Sequence, residues 1–206
     1  MAAVDLHNLW RQDTPGSAVW PRSPRPTAVD KYFMVSADCH VQEPNDFLTA
    51  RMDKKFQDRL PGIVLGGDGS KLQKTEGFRP IRIGSYTLEG EDLERSLAGL
   101  TPEQRLEADT RDGIDCEIMF PNKGLTIWAT PDVEFSQAMC RAYNDWAWEI
   151  FSAYNDRLAP MACIASADID GAIAEVQRAA KRGFRGLSLP CKPEIGRASC
   201  RERVCT

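Results

Sequence analysis

The residues with the clearest chemical potential in this chain follow a short apolar run that begins at Met34. Asp38 and His40 stand two positions apart after that run, and Glu43 comes three positions later. Because side chains alternate between the two faces of a β-strand, Asp38 and His40 are predicted to point the same way. A carboxylate oxygen beside an imidazole nitrogen suits a divalent metal ion, Zn²⁺ first and Mn²⁺ as the alternative. The competing interpretation is structural: Asp38 caps a turn, and His40 is an ordinary hydrogen-bonded histidine.

His40 is one of only two histidines in the 206-residue sequence. The other, His7, lies in a polar N-terminal stretch without helical or strand period. These residues therefore offer no second histidine-based site.

The composition is that of an ordinary soluble globular protein, with 42% hydrophobic and 27% charged residues. A net charge of -4 gives none of the basic field that nucleic-acid binding requires, so we expect no nucleic-acid partner. No apolar run approaches the ~18 residues that span a bilayer, and no signal segment is evident. We expect a cytoplasmic protein with a small-molecule substrate and no membrane partner, and a homo-oligomer stays open.

From Thr101 onward the sequence alternates helix and strand signals. Thr101 and Pro102 form a helix start, and Gly113 ends that helix. The later predicted elements are a strand over Ile114–Phe120, a helix from Asp132 to about Tyr154, a strand over Leu158–Ala165, a helix from about Asp168 to Arg182, and a strand near Leu187. With the run from Tyr32 to Ala37 these make four apolar strands. Helices between them indicate parallel pairing through right-handed crossovers.

Four such units could form half of a (β/α)8 barrel or a small doubly wound sheet. A dinucleotide-binding sheet is expected to carry a Gly-rich phosphate turn after its first strand, and Cys-His-Val-Gln-Glu-Pro stands there instead. Barrel chemistry is placed at the carboxyl ends of the strands, where Asp38 and His40 fall. The sequence therefore predicts an α/β fold, the N-terminal half of a metal-dependent (β/α)8 TIM barrel.

Three segments are expected along the chain. Residues 1–31 are an N-terminal arm or linker, and residues 32–193 are the partial barrel domain. An insertion at about 61–99 carries a small hairpin, with strand-like pieces at Ile81–Ile83 and Tyr86–Leu88. Within the domain a helix is predicted over Asn45–Leu60. Residues 194–206 are aperiodic and resemble the translation of a sequencing adapter, so we expect a non-native tail on a truncated protein.

Several ordered motifs together resemble one enzyme family. They are Ala37–Pro44, Asp112–Asp115 leading to Phe120-Pro121, Tyr143–Trp146, Asp156–Leu158 and Lys181–Gly186. From Val35 to about Pro190 the chain resembles the amidohydrolase-related branch, amidohydrolase family 2, of the metal-dependent TIM-barrel hydrolases. That branch also contains aminocarboxymuconate-semialdehyde-type decarboxylases.

The resemblance implies roles for individual residues. Asp38 and His40 occupy the metal-ligand pair of the first strand, where many relatives carry His-x-His or Glu-x-His. Glu43 either orients a ligand or serves as a third one. Independently of the resemblance, Asn122 and Lys123 directly follow the second strand of the barrel, so they are either candidates for substrate contact or ordinary polar residues of a loop. The remaining histidine ligands and the catalytic aspartate of the family would lie beyond the truncation, so no catalytic residue is assigned here.

The expected function is a metal-dependent hydrolase that acts on a small carbonyl- or carboxylate-containing substrate, inactive in the truncated form. A non-oxidative decarboxylase of the same family is the alternative. A further alternative is a non-catalytic fragment.

Overall fold

The computed structural model of the protein describes residues 34–83, 90 and 101–190. The predicted arm, a predicted strand piece at 86–88 and the predicted tail lie outside the described residues. The strands are β1 (Val35–His40), β2 (Gly62–Leu65), β3 (Lys71–Lys74), β4 (Ile81–Arg82), β5 (Cys116–Phe120), β6 (Leu158–Pro160), β7 (Ala162–Cys163) and β8 (Leu187–Ser188). The α-helices are α1 (Pro102–Asp112), α2 (Val133–Phe151) and α3 (Ile169–Arg182), and 3-10 helices span Lys54–Arg59, Lys123–Ala129 and Ser152–Tyr154.

The predicted alternation of parallel strands and helices is confirmed. β5 pairs in parallel with β1 on one side and with β6 on the other, and β7 pairs in parallel with β8. β7 continues β6 after Met161, whose N–H donates to the Met119 carbonyl of β5 at 2.8 Å. Within the part of the chain that the structure describes, these strands form two parallel sheets, β1–β5–β6 and β7–β8, and neither closes into a barrel. This is a partial barrel-like α/β fold.

The predicted helix starts at Thr101, Asp132 and Asp168 are confirmed by their caps. The Thr101 hydroxyl accepts the Gln104 N–H at 3.3 Å, and the Gln104 side chain accepts the Thr101 N–H at 3.0 Å. Asp132 and Asp168 each accept the N–H three residues on, at 3.1 and 3.0 Å. Gly113 ends α1 with a φ of 83°, a conformation that favours glycine.

The helix predicted over Asn45–Leu60 is wrong. Turns occupy residues 45–51, and the helical part is a 3-10 helix limited to Lys54–Arg59. Asp53 separates the two because its backbone is extended, with a ψ of 147°. The apolar spacing still identifies the inward side chains, since Phe47, Leu48, Met52 and Phe56 are buried. The apolar spacing correctly predicts which side chains are buried, but it does not predict the backbone conformation of the segment.

The hairpin was predicted from strand-like pieces at Ile81–Ile83 and Tyr86–Leu88. β4 falls on the first piece, and the second lies outside the described residues. β4 is the third strand of an antiparallel sheet in the order β2, β3, β4, whose first two strands were not predicted. Because residues 84–89 and 91–100 lie outside the described part, the limits of the insertion stay a prediction. We refer to the observed sheet, residues 62–82, as the insertion sheet.

The core lies where α2 covers the parallel sheet and the turns after β1. Phe135, Met139 and Tyr143 recur at helical spacing on α2 and are fully buried. Phe47 packs edge-on against Tyr143, with ring centroids 6.4 Å apart, and Phe56 stacks on Phe135 at 4.9 Å. The segment after β1 is therefore held by apolar packing on the helix that follows β5.

The apolar residues of α3 have a different environment. Ile169 and Ile173 are 54% and 50% exposed, whereas Glu175 and Ala179 are buried. Among the described residues the stripe of isoleucines on α3 is therefore only partly covered. None of the described helices is both long and apolar enough to cross a membrane.

Asn144 links α2 to the sheet by hydrogen bonds that were not predicted from the sequence. Its side-chain oxygen accepts the Cys163 N–H at 2.7 Å, and its amide nitrogen donates to the Cys163 carbonyl at 2.9 Å. The same nitrogen donates to Glu175 of α3 at 2.7 Å. Asn144 is fully buried, so these bonds satisfy groups that water does not reach.

Asn144→Ala is expected to destabilise the protein by about 2–4 kcal/mol, because the buried N–H and carbonyl of Cys163 lose their side-chain partner, whereas Glu175 keeps its hydrogen bonds to Arg178. Urea unfolding followed by circular dichroism measures the loss. Gln57→Ala is the matched control: Gln57 donates to Met52 O at 2.9 Å from a half-buried position, and less than about 1 kcal/mol is expected. Equal losses in both variants would contradict this account.

Candidate metal centre

The predicted pair lies at the carboxyl end of β1, with both side chains on one face. Asp38 Oδ1 and His40 Nε2 are 3.8 Å apart, and the two side chains are 88% and 41% exposed. The pairing of β1 with β5 contains one extra residue between Ser36 and Cys39, a bulge that includes Asp38. Bulges of this kind re-aim side chains and are common beside active sites. The structure therefore brings Asp38 and His40 together at the mouth of the sheet.

The ring of His40 is fixed by the chain that follows β5. Its Nδ1 atom lies 2.8 Å from the carbonyl oxygen of Pro121. A carbonyl oxygen only accepts, so Nδ1 donates, and the neutral ring then carries its lone pair on Nε2. That lone pair lies on the same side as the Asp38 carboxylate.

This donor set fits a divalent metal ion. Zn²⁺ bonds of about 2.0–2.2 Å to nitrogen and oxygen allow two donors of one ion to lie up to about 4 Å apart, and these lie within that limit. Within the described residues no cluster of three His, Cys, Asp or Glu side chains surrounds a common point. The described residues thus supply two donors that would suit such an ion, and a complete centre would need further ligands.

Glu43 is buried, at 2% exposed, and faces the loop after β5. Its carboxylate accepts the backbone N–H groups of Asn122 at 2.9 Å, Lys123 at 2.9 Å and Gly124 at 3.0 Å. Burial raises the pKa of the Glu43 carboxyl, and the three N–H donors oppose that rise. The structure thus ties both carboxylate oxygens to the loop, and the predicted ligand or orienting role of Glu43 stays a prediction.

The two predicted substrate contacts differ in their surroundings. Asn122 is exposed at the carboxyl end of β5. Lys123 is half-buried, and its ammonium group donates to the Glu43 carbonyl and, at 2.9 Å, to the Asn45 side chain. Asn122 is therefore available to a ligand, whereas Lys123 would have to exchange existing hydrogen bonds.

The insertion sheet contacts the same loop. Gln73 of β3 donates to the Lys123 carbonyl at 2.9 Å, and Thr126 donates to the buried Thr75 at 2.8 Å. Gly77, with a φ of 79°, passes so close to Ala129 that an added Cβ would lie 2.0 Å from its carbonyl oxygen. The insertion sheet is thus anchored beside the candidate centre.

A charged cluster on the opposite face of β1 was not predicted. Cys39, which alternates with Asp38 and His40, donates to Glu117 of β5 at 3.2 Å. Arg105 of α1 pairs with Glu117 and also donates to the His40 carbonyl at 3.0 Å. The sequence did contain one signal for this cluster. Glu117 lies inside an apolar strand, and a buried charge there requires a partner of opposite charge. Through Arg105, this cluster holds the backbone carbonyl of His40 from the face of β1 opposite to the Asp38 and His40 side chains.

Asp109 of α1 lies beside this cluster and is 4% exposed. Its Oδ2 atom has no hydrogen-bond partner among the residues that the structure describes. Burial is the largest cause that raises the pKa of Asp109 to about 7, and the negative charge of Glu117 adds to it. Asp109 is therefore expected to change its charge nearer to neutral pH than an ordinary aspartate.

The geometry defines a class of protein: parallel β/α units with a carboxylate–imidazole pair at the carboxyl end of the first strand. The profile of the amidohydrolase family matches residues 37–205, and the chain belongs to that family. Members of the family generally depend on a metal ion. The matched range includes residues 194–205, so the non-native origin of that segment stays a prediction. A comparison with curated proteins found no significant match.

Two solved structures are similar to this chain. An amidohydrolase from Mycobacterium avium subsp. paratuberculosis K-10 aligns with a TM-score of 0.59 and 17% identity, over 79% of this chain and 49% of that one. A 2,6-dihydroxybenzoate decarboxylase from Rhizobium aligns with a TM-score of 0.43 and 21% identity, over 75% of this chain and 37% of that one. The chain thus spans about half the length of the first structure and less of the second. At these identities the first similarity shows a shared TIM-barrel-like fold.

Asp109→Asn is expected to make the free energy of unfolding less dependent on pH. An acid with a pKa of about 7 when folded, against about 3.9 unfolded, contributes stability below pH ~4 that is lost as the pH rises to ~7. The variant should therefore gain stability relative to the wild type over that range, by at most about 4 kcal/mol. Urea unfolding at several pH values measures the difference.

Glu107→Gln on the same helix is the control, because Glu107 is exposed. It should follow the wild-type pH dependence. If Asp109→Asn also follows the wild-type curve, the raised pKa of Asp109 is wrong.

Proposed function

We propose that the protein is a metal-dependent hydrolase of the amidohydrolase family that acts on a small carbonyl- or carboxylate-containing substrate. The observation that carries the proposal is the pair at the end of β1. The exposed Asp38 carboxylate and the Nε2 atom of His40 lie 3.8 Å apart, and the Pro121 carbonyl holds the other ring nitrogen. Family membership supports the same chemistry.

Asp38 and His40 would hold the metal ion, with Zn²⁺ expected first and Mn²⁺ second. When bound, such an ion acts as a Lewis acid towards a substrate carbonyl and lowers the pKa of water to ~7. The described residues supply two of its ligands, so we propose that turnover requires ligands and a proton-transferring group from outside the described part.

The chain's own residues have three tasks in this proposal. Asp38 supplies negative charge that holds a cation at the mouth of the sheet. His40 presents a lone pair at Nε2 because Nδ1 is committed to Pro121. Asn122 is exposed beside them and can donate a hydrogen bond to an anionic or carbonyl oxygen of the substrate. Lys123 can do the same only after its ammonium group leaves the Glu43 carbonyl.

The chain spans about half of the aligned amidohydrolase, so we propose this activity for the whole protein. We also propose that the protein is cytoplasmic, that it can form a homo-oligomer and that a truncated form is inactive.

His40→Ala is expected to lower the affinity for Zn²⁺ at least tenfold, since the pair loses its nitrogen ligand. Titration calorimetry on the 206-residue chain measures the change without any need for turnover. His7→Ala is the matched control because it removes the one other histidine, and it should bind Zn²⁺ like the wild type. Equal affinities of His40→Ala and wild type would show that His40 is not a ligand.

Hydrolysis is distinguished from decarboxylation by running the reaction of the full-length protein in isotopically labelled water. A hydrolase should place one labelled oxygen atom in its product, because water attacks the substrate carbonyl. Release of carbon dioxide without label in the organic product would overturn the hydrolase proposal and support a decarboxylase.

A further inference from the structure

We propose that Glu43 is a positioning residue for His40, and that it acts through one peptide group, the one between Pro121 and Asn122. The inference rests on the proposed function only where it treats His40 as a metal ligand. The hydrogen-bond chain itself is a property of the protein without metal.

The first link is the carboxylate of Glu43. One of its oxygens accepts the Asn122 N–H at 2.9 Å and the Gly124 N–H at 3.0 Å, and the other accepts the Lys123 N–H at 2.9 Å. Glu43 is 2% exposed, so water does not compete for these donors. Hydrogen bonds to a carboxylate are roughly twice as strong as those between neutral groups. The direction of the Asn122 N–H is therefore firmly set.

The second link is the peptide plane. The Asn122 N–H and the Pro121 carbonyl belong to the same planar trans peptide, in which they point in opposite directions. Glu43 holds the N–H side at 2.9 Å, and His40 Nδ1 lies 2.8 Å from the carbonyl on the other side. A rotation of this peptide would break both contacts together. Glu43 thus determines that a carbonyl, and not an N–H, faces the ring of His40.

The third link is the imidazole tautomer. A carbonyl that faces Nδ1 requires a proton there, which leaves the lone pair of the neutral ring on Nε2. With the peptide reversed, an N–H would face Nδ1 and favour the tautomer whose proton is on Nε2. That tautomer has no lone pair beside Asp38. A contact remote from the pair therefore decides whether His40 presents a ligand atom there.

Glu43→Gln separates this role from mere packing, because it keeps the size of the side chain. A glutamine offers one oxygen and one NH₂ group, and the NH₂ group would meet backbone N–H donors where the carboxylate accepted them. We expect the Pro121–Asn122 peptide to lose its fixed orientation in this variant, so that His40 populates both tautomers.

The test is the nitrogen NMR spectrum of the histidine rings in the metal-free 206-residue chain at a pH where they are neutral. The chain has two histidines, so His7→Gln assigns the signals of His40. The wild type should show the proton of His40 on Nδ1. In Glu43→Gln the two ring-nitrogen signals should move towards each other as the tautomers mix.

Glu76→Gln is the matched control. Glu76 also joins an anchoring network, with Arg59 at 2.7 Å and Thr130 at 2.7 Å, but these partners are remote in the chain from the Pro121–Asn122 peptide. It should leave the tautomer of His40 unchanged. If Glu43→Gln does not fold, Glu43→Asp replaces it, since its shorter carboxylate keeps the charge and reaches the N–H groups less well.

A wild-type proton on Nε2, or a wild-type tautomer retained in a folded Glu43 variant, would overturn the inference. Zn²⁺ affinity gives the second measurement, with a loss of about 10–100-fold expected in the Glu43 variant. If the tautomer changes while the wild-type chain binds no Zn²⁺, the proposed function fails and the positioning role stands. If Zn²⁺ binds and the tautomer does not change, the positioning role fails alone.

Discussion

The candidate centre depends on one buried carboxylate that needs hydrogen-bond donors. Glu43 follows β1 and is buried away from water, and a buried charge without hydrogen-bond partners would cost several kcal/mol. The loop after β5 provides three backbone N–H groups for it. Because that loop also begins the 3-10 helix Lys123–Ala129, on which the insertion sheet rests, these parts of the molecule are held as one unit.

The sequence predicted the parts of this arrangement that local chemistry controls. Helix starts at Thr101, Asp132 and Asp168 follow from side chains that cap the helix they precede, and the side-by-side placement of Asp38 and His40 follows from strand alternation. The continuous helix over Asn45–Leu60 failed because its apolar spacing is satisfied equally by turns followed by a 3-10 helix. Spacing specifies which residues are buried, and the backbone between them can vary.

Hydrogen bonds between segments that are distant in sequence could not be predicted. The role of Asn144 depends on meeting the backbone of Cys163, and that of Arg105 on meeting the carbonyl of His40. Backbone groups are present at every position, so no residue type marks the partner in advance. The carbonyl of Pro121 is of the same kind, which is why the sequence predicted a metal ligand at His40 without the group that orients it.

Among the described residues, the hydrogen bonds that fix the surroundings of Asp38 and His40 come from the part of the chain before α2. Glu43, Arg105 and the loop at Pro121–Gly124 all precede α2 in sequence. The segment after β1 also packs on Tyr143 and Phe135 of α2. A substitution in β6 or in any later described element therefore removes no hydrogen bond of Glu43 or His40, and it can reach them only through the packing of the core.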